Sequence, residues 1–234
     1  MRFASYLLLG VSTVFVARVP AAAPTDGTVT GTVKFVRDGK DVKIPDGYVY
    51  LVPVRRGRPI PPKAVTTQIV QKNRRFIPDR LVIPVNSTVE FPNQEAPSQR
   101  GGDEHNVFSP STPMFDLSRY GSGKMRSRKF LDEGEYDIYC DIHVQMTAKV
   151  KVVDSEHIVP VVNSRFSLAG VPAGKYKVFA WAPDSGESKE TITVVAGETV
   201  TVPQLNVQLG QPTASHRRKN GGGYCEDKYA DCNK

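Results

Sequence analysis

The sequence has few of the side chains that bind metal ions or form cross-links: its 234 residues include four histidines, four methionines and three cysteines. This small set excludes large metal clusters. Beyond residue 17 no long apolar run occurs, which excludes a transmembrane helix in the rest of the sequence. No segment shows a helical hydrophobic period, which argues against a helical architecture.

The N-terminal segment predicts export. Arg2 precedes an apolar run over residues 3–17, and small residues follow it. This order is typical of a secretory signal peptide, so we expect residues 1–23 to be removed, with cleavage after Ala21, Ala22 or Ala23. The alternative is an N-terminal membrane anchor, although the run is short for spanning a bilayer. We therefore expect a soluble periplasmic or secreted protein with no membrane span.

The net charge of +7 is partly gathered in short basic clusters, at 55–58, 72–75, 124–129 and 217–219. Such clusters can bind nucleic acid. No nucleic-acid recognition motif is present, and an exported protein rarely meets nucleic acid. We expect a mildly basic surface that attracts an acidic protein partner, and no nucleic-acid binding.

Short runs of β-branched and aromatic residues alternate with polar residues, and Gly or Pro stands at most junctions. This pattern predicts an all-β protein of the sandwich or barrel type. A helix near 111–120 is an alternative that we do not adopt. The predicted strands are 29–36, 48–54, 65–71, 80–85, 88–92, 106–109, 127–131, 134–140, 147–153, 165–169, 174–182, 187–195 and 198–209.

The last segment, 210–234, has the composition of a flexible basic linker, rich in glycine and Lys or Arg. Cys225 and Cys232 stand close together near its end. In an exported protein this spacing predicts a small disulfide loop. Two free thiols, or bonds to another chain, are the alternatives.

Cys140, the remaining cysteine, begins a Cys-x2-His-x2-Met pattern that continues with His143 and Met146, and His105 lies upstream. Two imidazoles, a thiolate and a thioether form the ligand set of a blue (type 1) copper site. These donors suit Cu(I) and Cu(II) about equally, so little rearrangement accompanies electron transfer. The alternatives are a buried, unreactive Cys140 or structural zinc, for which methionine is a poor ligand.

Four elements carry a resemblance to a known family: Phe76-Ile77-Pro78, the stretch 85–93, His105-Asn106-Val107, and the loop 134–146. Together they make residues 65–153 resemble a cupredoxin of the plastocyanin, pseudoazurin and amicyanin group. Two positions depart from the family pattern, because Asn86 stands where Gly is usual and Val144 where Pro often follows the histidine.

The resemblance implies a Greek-key β-sandwich with one type 1 copper bound by His105, Cys140, His143 and Met146. It also implies that Asn106 ties the two ligand loops together by hydrogen bonds, which hold ligands in place. His143 would be the route by which the electron leaves.

The flanking segments resemble a carboxypeptidase regulatory-like, or transthyretin-like, sandwich. The similar stretches are 27–33, 38–40, 49–51, 164–168 and 171–181. We expect one such domain built from 27–62 and 156–209, with the cupredoxin domain, 64–154, inserted in it. Inserted domains need their ends close together, and pairing of 65–71 with 147–153 would achieve this. The alternative is a cupredoxin with an unrelated N-terminal arm and a separate C-terminal domain.

These patterns predict an exported carrier of single electrons. Its partner would be a redox protein such as a c-type cytochrome or an oxidoreductase. We expect no enzymatic activity, because the remaining His157 and His216 do not form the His-x-His pairs common in copper enzymes. Copper buffering or delivery, and a cell-surface interaction module, are the alternatives.

Overall fold

The computed structural model describes residues 25–43, 47–54, 60–97, 104–186, 188–211 and 216–224. The predicted signal peptide and the predicted Cys225–Cys232 loop lie outside these residues. The described residues contain no helix that could span a lipid bilayer.

The described residues form strands, turns and bends without a helix, which confirms the all-β prediction. The strands are β1 (Asp26–Arg37), β2 (Lys40–Asp41), β3 (Tyr48–Pro53), β4 (Thr66–Gln68), β5 (Val70–Lys72), β6 (Arg75–Ile77), β7 (Arg80–Pro84), β8 (Thr88–Pro92), β9 (His105–Ser109), β10 (Phe115–Tyr120), β11 (Met125–Lys129), β12 (Gly134–Tyr139), β13 (Thr147–Val153), β14 (His157–Pro160), β15 (Arg165–Pro172), β16 (Gly174–Trp181), β17 (Ser188–Val194) and β18 (Thr199–Gln208).

Strands β4 to β13 enclose one hydrophobic core. A five-stranded sheet in the order β10-β9-β12-β13-β7 lies on one side, and a three-stranded sheet, β11-β8-β4, lies on the other. Side chains alternate between the two faces of a strand, and in β12 Tyr136 and Ile138 point into this core while Glu135 stays exposed. The centre of the core is aromatic, since Phe130 packs edge-on against Tyr136 with ring centroids 5.0 Å apart.

The segment 65–71, predicted as a single strand, forms two strands in different sheets. Between them, Ile69 is fully buried and donates its backbone N–H to the carbonyl of Glu90. Strand β4 pairs with β8, and β5 pairs with β6. The predicted pairing of 65–71 with 147–153 is therefore wrong, because β13 pairs with β7 instead.

The strands that precede β4 and those that follow β13 pair with each other and enclose a second core. One sheet has the order β15-β1-β18, with β2 added to β1, and the other has the order β14-β3-β16-β17. The two ends of the segment 64–154 lie close together, since the N–H of Lys63 donates to Glu156 Oε2 at 2.9 Å. The assignment of this second sandwich to the transthyretin-like family stays a prediction.

Two positions that the sequence singles out have well-defined backbone conformations. Asn86, where the resembling family has Gly, lies in the left-handed region with φ of 69°. Asparagine tolerates this region better than other non-glycine residues. The segment 111–120 forms no helix, because residues 115–120 form β10, which pairs with β9.

Apolar and charged contacts join the two sandwiches. Trp181 is buried in a cluster with Tyr50, Val82 and Val153, and its indole N–H donates to Glu135 Oε1 at 2.8 Å. Lys149 of β13 lies 4.0 Å from the other carboxylate oxygen of Glu135 and forms an ion-pair centre.

The Lys149 ammonium lies 3.0 Å from a carboxylate oxygen of Asp137 and 3.0 Å from one of Asp184. Burial alone would lower the pKa of Lys149, but the two carboxylates outweigh it and raise the pKa above its ordinary value. Because Asp184 follows β16 and Asp137 lies in β12, this side chain links the two sandwiches.

We predict that Lys149→Met lowers the free energy of unfolding by about 1–3 kcal/mol, because it leaves two partly buried carboxylates without their cation. Urea unfolding followed by tryptophan fluorescence measures this change. Lys177→Met, on the exposed face of β16, is the matched control. Equal stability of the two variants would show that the ion-pair centre does not stabilise the junction.

Candidate metal centre

Three potential metal donors converge inside the first sandwich. The Nδ1 atoms of His105 and His143 lie 3.1 Å apart, and Cys140 Sγ lies 3.9 Å from His143 Nδ1. The donor atoms of all three residues lie within 4.8 Å of one another. His105 and Cys140 are 0% exposed and His143 is 7% exposed. Water therefore has little access to the donors.

The strands place these donors at one end of the sandwich. His105 begins β9, and Cys140 directly follows β12, the neighbour of β9 in the sheet. The loop from Cys140 to Met146 is closed by two backbone hydrogen bonds. The N–H of Met146 donates to the carbonyl of His143, and the N–H of Cys140 donates to the carbonyl of Met146.

Met146 is fully buried and belongs to the same core cluster as Cys140. The tight loop turns the chain back, so the residues at its two ends come together. The structure thus brings His105, Cys140 and His143 into one cluster and places Met146 at the base of the loop that carries two of them.

The spacing of the donors fits a first-row transition-metal ion. Such ions bind imidazole nitrogen at about 2.0–2.1 Å and thiolate sulfur at about 2.3 Å, as zinc does. At tetrahedral or trigonal angles, two nitrogens at that distance from one ion lie about 3.3–3.6 Å apart, and a nitrogen and a sulfur about 3.5–3.8 Å apart. The observed separations of 3.1 Å and 3.9 Å lie close to these two ranges. One thiolate with two imidazoles matches the equatorial donor set of a blue copper site.

Glu95 orients His105, a role that the sequence did not reveal. Its Oε1 lies 3.1 Å from His105 Nε2, on the side of the ring away from His143. A carboxylate accepts hydrogen bonds, so Nε2 carries the proton and donates it. The Nδ1 lone pair is then directed toward Cys140 and His143. Carboxylate–histidine pairs of this kind fix the tautomer and the ring orientation of metal ligands.

A hairpin turn holds Glu95 in place. Asn73 and Arg74, between β5 and β6, both have positive φ, 54° and 53°, as in a two-residue type I′ turn. This turn directs the Arg74 N–H to Glu95 Oε1 at 2.5 Å. Burial raises the pKa of Glu95, but the N–H groups of the turn and His105 outweigh it, so the net pKa lies below the usual value. The carboxylate is therefore ionised at neutral pH.

Asn106 joins the two ligand segments, in the position that the resemblance implied. Its Oδ1 accepts the N–H of Asp141 at 2.6 Å, and its Nδ2 faces Asp116 Oδ1 at 3.4 Å. The neighbouring N–H of Ile142 points to Cys140 Sγ at 3.4 Å. Burial raises the pKa of the Cys140 thiol despite the surrounding N–H groups. Binding of a metal ion at this sulfur therefore releases a proton.

Comparisons with known proteins give similarity to part of the chain only. No protein-family model matches, and no curated protein matches. Among solved structures, a purple cupredoxin from Nitrosopumilus maritimus is 24% identical over 37% of this chain and 99% of its own, with a TM-score of 0.32. An amicyanin variant in its reduced Cu(I) form is 23% identical over 40% of this chain and 86% of its own, with a TM-score of 0.32.

A copper-containing nitrite reductase from Thermus scotoductus SA-01 is 27% identical over 51% of this chain and 28% of its own, with a TM-score of 0.31. Part of this chain is thus similar to cupredoxins of known structure.

Residues 216–224, which we name the C-terminal strap, differ from the predicted flexible linker. They lie against the outer face of β9 and β12, where the His216 ring stacks on Tyr139 with centroids 3.9 Å apart and an interplanar angle of 4°. The turn inside the strap explains the difference. Gly221, at φ of 81°, donates its N–H to the carbonyl of Arg218, so the glycine-rich stretch folds back on itself.

We predict that Glu95→Gln weakens copper binding about tenfold, the lower end of the usual effect of changing such a partner. Glutamine keeps an acceptor for His105 Nε2–H but removes the negative charge. Competition with a chelator of known affinity measures the change. Glu90→Gln is the matched control, since Glu90 lies on β8 and pairs with Gln68 in an exposed position. Equal affinity of the two variants would contradict the role of Glu95.

Proposed function

We propose that this protein is an exported type 1 copper protein that carries single electrons between redox partners. The observation that carries the proposal is the buried group of His105, Cys140 and His143, whose donor atoms all lie within 4.8 Å of one another. Met146, buried at the end of the same loop, would supply a thioether sulfur to the ion. When bound, copper supplies a one-electron Cu(I)/Cu(II) couple.

The residues of the chain hold this site in one arrangement. Glu95 keeps the proton of His105 on Nε2 and leaves Nδ1 for the metal. Asn106 fixes the backbone after Cys140, and the two backbone bonds of the loop fix His143 and Met146. A site that is already assembled needs little rearrangement when an electron arrives or leaves, which favours fast transfer.

The burial of the donors favours electron transfer over copper delivery. A protein that hands its metal to a recipient needs donors that the recipient can reach, whereas His105 and Cys140 are fully buried. The edge of His143, beside the partly exposed Val144, would be the place where an electron leaves. We therefore favour a carrier over a copper buffer or delivery protein.

The proposed carrier performs no bond chemistry on a substrate. The other two histidines pack against aromatic rings, His157 edge-on to Tyr176 and His216 flat on Tyr139. In the described part of the chain, His105, Cys140 and His143 are the one cluster of potential ligands.

We propose that its partner is a redox protein, such as a c-type cytochrome or an oxidoreductase, in the periplasm or outside the cell. The net positive charge of the chain would speed encounter with an acidic partner. Localisation rests on the predicted signal peptide.

We predict that the protein loaded with Cu(II) has an intense visible band from thiolate-to-copper charge transfer, and that Cys140→Ser abolishes it. The band should bleach with a reductant and return with an oxidant, because the account requires reversible one-electron cycling. Absorption spectroscopy of both proteins, prepared without residues 1–23, measures this.

The control variant is His157→Gln, which leaves the proposed ligands unchanged and should keep the band. A colourless wild-type protein, or a band that survives Cys140→Ser, would exclude the type 1 site. A band that appears but is lost with the metal after one redox cycle would favour copper delivery.

A further inference from the structure

Two side chains of the C-terminal strap converge on one backbone atom of the metal centre. The Tyr224 hydroxyl hydrogen-bonds to the carbonyl oxygen of Cys140, and His216 Nε2 lies 3.3 Å from the same oxygen. The Tyr224 oxygen also lies 2.6 Å from His216 Nε2. Cys140 is thus contacted from inside the sandwich by His143 and from outside by the strap.

The directions of these hydrogen bonds follow from counting protons. A carbonyl oxygen only accepts, so Tyr224 donates its single hydroxyl proton to Cys140. His216 Nε2 then donates to the Tyr224 oxygen, because an unprotonated Nε2 would face two acceptors. His216 Nδ1 is buried with no hydrogen-bond partner among the described residues, so a proton there would be unsatisfied. His216 and Tyr224 thus form a chain of two hydrogen bonds that ends on the carbonyl oxygen of Cys140.

The strap also holds the residue after Cys140. The backbone N–H of Lys219 donates to Asp141 Oδ1 at 2.9 Å, and Arg218 Nε lies 3.7 Å from the same oxygen. Lys219 Nζ pairs with Asp116 Oδ2 at 2.7 Å. Asp141 is buried, with 4% exposure. A buried carboxylate needs such partners. Water cannot take their place, because it has little access to Asp141.

The outer face of β9 shows that the strap belongs to the structure of the site. Every residue of β9 is buried, although the side chains alternate between the core face and the outer face. On the outer face, the strap ring of His216 packs near Phe108, with centroids 6.4 Å apart. The strap therefore covers part of the outer face of β9.

We propose that Tyr224 and His216 are positioning residues of the metal centre, which fix the peptide of Cys140 and through it the direction of the thiolate. This inference rests on the proposed copper function, because the ligand that they position is the copper ligand. It extends the site to a segment that lies 76 and 84 positions from Cys140 in the sequence.

The test compares Tyr224→Phe with Tyr176→Phe in the full chain. Both changes remove one hydroxyl from a tyrosine that bonds a backbone carbonyl, and Tyr176 bonds Pro172 in the other sandwich. We expect Tyr224→Phe to lose copper to a chelator about tenfold faster than wild type. We also expect a reduction potential that differs from wild type, because the Cys140 thiolate is no longer held in one direction. Tyr176→Phe should match wild type in both.

A second readout needs no copper. In the metal-free protein, the rate at which Cys140 reacts with a thiol reagent, resolved from Cys225 and Cys232 by peptide mass spectrometry, reports how often the ligand loop opens. Tyr224→Phe should raise this rate several-fold. His216→Phe, which keeps a ring against Tyr139 but offers no N–H, is the second variant and should act in the same direction.

The outcomes separate the two proposals. A wild-type protein without a thiolate-to-copper band would overturn the copper function, and the Cys140 labelling rates would then decide the role of the strap alone. A normal band with Tyr224→Phe and His216→Phe both equal to Tyr176→Phe in copper release, potential and labelling would overturn the positioning role.

Discussion

Everything at the candidate site depends on directing three buried donors, two imidazole nitrogens and one sulfur, toward one point. Buried polar atoms are costly unless each has a partner. The structure meets this requirement from several sides, because Glu95 takes the outer N–H of His105 and backbone N–H groups surround the sulfur of Cys140. The donors are therefore held in position by hydrogen bonds from Glu95 and from the backbone around Cys140.

The architecture supplies these partners from distant segments. A type I′ turn positions Glu95, Asn106 joins β9 to the ligand loop, and the C-terminal strap closes the outer face. Since the strap follows β18 of the second sandwich, that sandwich also determines where the strap begins. The ion pair between Lys149 and Asp184 crosses the junction and joins the second sandwich to β13 of the first.

Sequence patterns predict the all-β class and the local grouping of candidate ligands. They do not predict contacts between residues that are far apart in the sequence. The all-β class followed from alternation and turn residues, and the Cys-x2-His-x2-Met spacing correctly singled out Cys140 and His143 as neighbours. Glu95 gave no signal, since an acidic residue after a strand is most often solvated. The composition of residues 210–234 predicts a linker, whereas Gly221 forms a turn within a strap that contacts Cys140.

The most direct test of the central claim is X-ray absorption at the copper edge of the protein loaded with one equivalent of Cu(II). The account predicts one sulfur scatterer at a short thiolate distance and two nitrogen scatterers of imidazole type. A first coordination shell made only of oxygen and nitrogen would contradict it, because copper would then be bound elsewhere than at His105, Cys140 and His143.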